Sequence, residues 1–217
     1  MAMTALELVK EIANNLSEDE RINDISSGTT NKSALKILST LNMSLKRAIL
    51  AYDWNVLYRI AESEDTEGII GTDHLPGFNG IITDCIYNLS KNTKIERIYP
   101  SEYIANKQLI NPSTCRYNVY CLFNNAINFS EDVIGSDITF MYRTNAAVRN
   151  SEGMPKYTFT DNTDTCDLDD GLLIRGGIMY YSKNKMDEDW SQDVAEYETY
   201  LKQLISMQEP PIEIFAR

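Results

Sequence analysis

The chain has 217 residues, enough to bury a core of its own without disulfide or metal staples. Its 20 Lys and Arg against 32 Asp and Glu give a formal charge of −12, which weighs against general nucleic-acid binding and against docking on anionic lipid. Apolar residues make up 43%, too many for a disordered chain. No run approaches the roughly 18 consecutive apolar residues of a membrane span.

Met1 to Lys10 shows no basic region followed by an apolar core, so no signal peptide is read. Cys85, Cys115, Cys121 and Cys166 form no C-x-x-C pair and read as free thiols of a reducing compartment.

In chain order, residues 4–17 read as a helix. Leu6, Val9, Ile12, Ala13 and Leu16 share one face, and Thr4 with Glu7 forms a T-x-x-E capping box. Residues 17–30 read as a polar loop. Residues 31–52 are the clearest helix: Ala34, Leu38, Leu41, Leu45, Ala48 and Tyr52 make an apolar stripe, and Lys32, Lys36, Lys46 and Arg47 lie off it as a solvated face. Trp54 follows and is expected to fold back on the helix.

From Val56 the texture becomes β. Residues 57–61 read as a strand and the glycine-rich 68–80 stretch as a loop. Residues 81–89 and 95–99 read as a hairpin, and 101–109 as a short helix capped by Ser101. Residues 116–123 and 126–129 flank Asn124-Asn125, a pair that tolerates positive φ and predicts a tight hairpin. Ile138, Phe140 and Tyr142 alternate along a further strand. Residues 146–166 are polar and read as a surface connection. Helical pattern returns over 168–181 and 188–207, either as a helical hairpin turning at 183–187 or as one bent helix. Two prolines then end the helical pattern, and Glu209 to Arg217 reads as an extended tail.

Few residues offer chemistry. His74, in a Thr-Asp-His-Leu-Pro-Gly loop, is the sole histidine, so a triad or zinc site would have to be built on it alone. Gly176-Gly177 lies inside a predicted helix and reads as a place of close packing, not a phosphate loop. The acidic run Asp161 to Asp170 fails as a calcium loop, because Cys166 stands where glycine is needed and Leu172 where glutamate is needed. It reads instead as a helix start, with Asp167 as the cap and Asp169 and Asp170 in the first turn. No catalytic residue, metal ligand or cofactor is assigned, and the chain is read as a non-enzyme.

The tail asks for a partner. Pro210, Pro211, Ile212, Ile214, Phe215 and Arg217 form the candidate docking segment, whose apolar side chains either fold back on their own domain or fill a groove or sheet edge on another chain.

Three blocks of the sequence carry a likeness to a known family. They are the helix Ala34 to Asn55 ending in Trp54; the Arg116-Tyr-Asn-Val-Tyr and Ala126-Ile-Asn-Phe hairpin leading into Ile138-Thr-Phe-Met-Tyr-Arg143; and the late helical region 168–207 with its Asp-rich joint. In this layout the chain resembles the head-to-tail adaptors of short-tailed bacteriophages, the tail tubular protein A type. The resemblance implies a structural virion protein at the neck between capsid portal and tail, made in the host cytoplasm. It implies a homo-oligomeric ring, usually of twelve copies, that binds the portal protein above and a tail or nozzle protein below. DNA would pass through the ring without specific binding, and the C-terminal segment would reach the portal. A tail-associated cell-wall hydrolase and a generic soluble protein-binding module are the alternatives.

The expected fold is α+β. N- and C-terminal helices (1–55 and 146–208) form a helical bundle, a small, mostly antiparallel β-sheet domain (56–145) is inserted between them, and an extended tail (209–217) follows.

Overall fold

The computed structural model describes residues 2–18, 21–26, 28–108, 117–185 and 190–208. The chain is a mixed α+β protein that divides into two units. One comprises Met1–Leu57 with Ala146–Arg217, and the other is Tyr58–Asn145.

The first unit is built on four helices: α1 (Ala5–Asn15), α2 (Lys32–Ala51), α4 (Asp170–Lys185) and α5 (Trp190–Met207). The capping box forms as the sequence predicts. Thr4 Oγ1 accepts from the Glu7 amide, and Glu7 Oε2 accepts from the Thr4 amide at 2.7 Å. Asn31 caps α2 by accepting from the Ala34 amide at 3.0 Å. At its other end the Trp54 indole N–H donates to the Ala48 carbonyl at 2.7 Å, satisfying one of the carbonyls a helix end leaves open.

Helix α4 is central and packs against α1, α2 and α5. Gly176 and Gly177 make this possible. A Cβ on Gly176 would lie 2.0 Å from Ser44 Oγ on α2 and 3.0 Å from Tyr197 Cε2 on α5; one on Gly177 would lie 2.5 Å from Ile12 Cδ1 on α1. The expected packing role of this pair holds. Helices α4 and α5 run antiparallel, with Gly171 and Gly176 beside Tyr200 and Tyr197, so the late region is a helical hairpin.

The 146–166 stretch is not a surface connection. It forms a three-stranded sheet in the order β10 (Thr165–Cys166), β8 (Val148–Arg149), β9 (Pro155–Lys156), and it buries Ala146, Ala147, Val148 and Phe159. Asn42 on α2 holds this strap from both sides, donating to the Phe159 carbonyl at 3.1 Å and accepting from its amide at 2.9 Å. Likewise, the polar-looking 17–30 segment buries Ile22 and Ile25 completely. Asn162 fastens it by accepting from the Ile25 amide and donating to Asp24, both at 2.9 Å.

The second unit corrects the expectation of a small sheet. It is a seven-stranded sheet in the order β1-β7-β3-β4-β5-β6-β2. Its strands are β1 (Tyr58–Ser63), β2 (Ile69–Gly71), β3 (Phe78–Asn88), β4 (Thr93–Arg97), β5 (Val119–Phe123), β6 (Ala126–Phe129) and β7 (Ile138–Thr144). The 68–80 stretch, expected to be a loop, supplies all of β2 and the start of β3. Between the two strands a 3-10 turn at Thr72–His74 and a turn at Gly77 keep part of the expected loop, while Gly80, with φ +126°, lies within β3 where the β3–β7 register shifts between Phe78 and Ile81.

All pairings in this sheet are antiparallel except β4 with β5. These two are joined through helix α3 (Pro100–Gln108), because parallel neighbours need a crossover. Ser101 does not cap α3. Pro100 opens the helix, and the Tyr99 amide donates to Glu102 Oε2 at 3.0 Å. Asn124 and Asn125 take φ of 54° and 53° in the β5–β6 hairpin, as their positive-φ tolerance predicts.

The sheet must curl. Its edge strands β1 and β2 are consecutive in the chain, and the residues from Ser63 to Ile69 reach at most about 23 Å. Seven flat strands would put the edges about 29 Å apart. Side chains from all seven strands accordingly meet in one interior cluster, which includes Ile86, Tyr120, Phe129, Phe140 and Tyr142. Strand β5 is covered on both faces: Tyr120 and Leu122 face that interior, while Val119, Cys121 and Phe123 pack with Tyr103 of α3. The Tyr103 hydroxyl donates to the Phe129 carbonyl at 2.9 Å.

Candidate functional site

The proposed docking residues Pro210, Pro211, Ile212, Ile214, Phe215 and Arg217 lie outside the described residues. What the structure does describe is the surface of the helical unit from which that segment departs, at Gln208.

Helix α2 carries more than its buried stripe. Leu35, Met43 and Leu50 lie on its other side and are exposed, Leu50 at 69%. Met43 and Leu50 form one wall of a groove of about 680 Å³, with Tyr180 of α4 and Leu201 of α5 opposite. Lys46 and Arg47 stand beside them. These two were expected to lie on a plain solvated face, and the structure separates them. Arg47 pairs with Glu198, and its guanidinium sits 5.2 Å from the Tyr197 ring centroid. Burial pulls the Arg47 pKa down, but hydrogen bonds with Tyr180 and Glu198 outweigh this and hold it above the ordinary arginine value. Lys46 is exposed and makes no ion pair among the described residues. Lys36 lies 4.4 Å from the Tyr181 ring centroid.

The groove follows the helix directions. Arg47 meets Glu198, and Leu50 lies near Leu201. Trp54 and Val56 line a second hollow with Leu204 and Gln208. Numbers rise together, so α2 and α5 run parallel, and α5 delivers the chain to the Trp54 end. Sequence reasoning missed the groove because it sorted α2 into one apolar stripe and a charged remainder. The usable signal was the large apolar residues left off the stripe, of which Leu35, Met43 and Leu50 prove exposed.

The acidic joint is a folding device. Asp164 is wholly buried; its carboxylate accepts from Lys156 Nζ at 2.7 Å and from the Thr160 and Asp161 amides at 2.8 and 3.0 Å. Burial lowers the Lys156 pKa, but its bonds to Asp161 and Asp164 outweigh that and raise it above the ordinary lysine value. Asp167 is not the cap of α4. Its carboxylate takes both Nε and Nη2 of Arg149 at 3.1 Å, and Asp169 caps the helix by accepting from the Leu172 amide at 2.8 Å. Asp170 Oδ2 accepts from the Met3 amide at 2.9 Å. Among the described residues, no group of three or more His, Cys, Asp or Glu is placed to hold a metal ion.

His74 sits on a short 3-10 turn, its side chain 81% exposed and 3.9 Å from Asp73. Cys166 is buried, and that burial pushes its thiol up to about 12; Cys121 is also a buried free thiol. Among the described residues, no helix is long and apolar enough to cross a membrane. No protein-family model matches the chain, and no curated protein matches its sequence.

Proposed function

We propose that the chain is a structural subunit of a phage neck: a head-to-tail adaptor that assembles as a ring, binds the portal through its 209–217 segment and presents a surface to the next tail protein. The observation that carries this reading is the two-unit architecture. A connector needs separately built surfaces on one chain, and this chain has two. Each core cluster draws its residues from one unit only. The β unit begins and ends in paired strands, with Tyr58 opposite Arg143, so one excursion from the helical unit supplies it.

Electrostatics supports the same reading. A ring around a DNA passage should not grip the duplex, and a chain of charge −12 repels phosphate. The subunit is made in the host cytoplasm and ends in the virion.

The test is portal binding by the triple variant Ile212→Ser, Ile214→Ser, Phe215→Ser. Losing three apolar side chains from the contact weakens binding about a hundredfold or more, with the far-UV circular dichroism of the free chain unchanged. Undiminished binding removes the tail from the mechanism. A wild-type chain that binds no portal protein overturns the adaptor reading.

A further inference from the structure

We propose that the groove between α2 and α5 is a binding site for an extended acidic–apolar peptide, and that its occupant in the free subunit is the chain's own segment 209–217. Three observations converge on this pairing. The groove exposes Met43 and Leu50 to solvent, at 41% and 69%, beside Leu201. The segment carries Ile212, Ile214 and Phe215, apolar side chains that need such a surface.

Charge agrees in detail. The chain as a whole is strongly acidic, but the groove rim is basic. Arg47 is committed to Glu198, whereas Lys46 makes no ion pair among the described residues. The segment brings Glu209 and Glu213.

Reach agrees as well. From Leu201 to Gln208, α5 rises about 10 Å. Nine extended residues span up to about 30 Å. The segment is therefore long enough to double back from Gln208 and bring its apolar residues level with Leu201. Docking within one chain also benefits from a millimolar-range effective concentration. A second copy supplying the same segment would first have to overcome repulsion between two chains of charge −12.

The groove thus shelters the apolar segment until a stronger partner draws it out. The contact stands independently of what that partner is, so it does not rest on the adaptor reading.

The test uses the full chain alone, without any portal protein. Phe215 is replaced by the photo-crosslinker p-benzoylphenylalanine, which favours methionine C–H bonds, and the dilute protein is irradiated. The expected product has the mass of one chain, with the crosslink mapping to Met43 or to residues 198–201. Leu50→Asp and Lys46→Glu each change an exposed side chain, and each lowers the crosslink yield at least fivefold with the circular dichroism unchanged. Crosslinks that map elsewhere, a product with the mass of two chains, or a yield that neither variant moves overturns the proposal.

Discussion

The two units solve the problem of a core in opposite ways. The helical unit brings backbones together: two adjacent glycines on α4 let α1, α2 and α5 approach where any Cβ would collide. Its irregular segments are then tied down by polar locks, above all the buried Asp164 with Lys156. The β unit instead curls one sheet and fills the inside with large side chains, including Tyr120, Phe129, Phe140 and Tyr142. The first design depends on small residues and satisfied charges at a few points. The second depends on volume spread over many strands. They should therefore fail under different substitutions.

The largest effects come from the centre of each design. Asp164→Ala leaves the Thr160 and Asp161 amides without their buried acceptor, while Lys156 keeps Asp161, and costs about 3 kcal/mol. Phe140→Ala empties the inside of the curled sheet and costs a similar amount, about 3–5 kcal/mol. The two are told apart by fluorescence, since both tryptophans, Trp54 and Trp190, belong to the helical unit. Asp164→Ala is expected to lower the midpoint of the tryptophan transition. Phe140→Ala should lower the midpoint followed by tyrosine near-ultraviolet circular dichroism and leave the tryptophan midpoint in place. A tryptophan midpoint that moves equally in both variants would break the comparison.

A smaller effect sharpens it. Gly177→Ala gains helix propensity of roughly 1 kcal/mol but drives a methyl group into Ile12. Overpacking of this kind costs about 1–3 kcal/mol, so chemical denaturation of the tryptophan signal should show a net loss near 1 kcal/mol. Adding Ile12→Val should restore part of it.

The mildest test is alkaline pH. Lys156 is held above its ordinary value, and burial raises Cys166 and Tyr197 to about 12. Each of these groups keeps its proton more tightly folded than unfolded. Stability is therefore full below the unfolded values and falls as pH climbs past about 9, where the unfolded thiol begins to ionise. A thermal midpoint that is flat from pH 8 to pH 11 would contradict this.

The sequence carried the local half of this structure. The capping box at Thr4, the stripe of α2, the return of Trp54, the Asn124-Asn125 turn and the packing role of Gly176-Gly177 all follow from neighbours a few residues apart. The remainder depends on partners far along the chain. Residues 146–166 look polar, yet Phe159 is buried because Asn42 grips its backbone from 117 residues away. Strand β2 is three residues long and has no pattern of its own; it exists because β6 pairs with it. Asp167 looked like the natural cap until Arg149 claimed it and left Asp169 to the helix. The groove was half legible: Met43 and Leu50 stood visibly off the stripe, but only the parallel run of α5 beside α2 turns them into a wall.

The proposed role of this chain is to join a portal to a tail. The most direct measurement is co-expression with the portal protein of the same genome, followed by native mass and electron microscopy of whatever co-purifies. The expected product is a closed ring of this chain on the portal, in fixed stoichiometry and with an open central passage. A chain that purifies alone, at the mass of a single copy and with no portal protein bound, would contradict it.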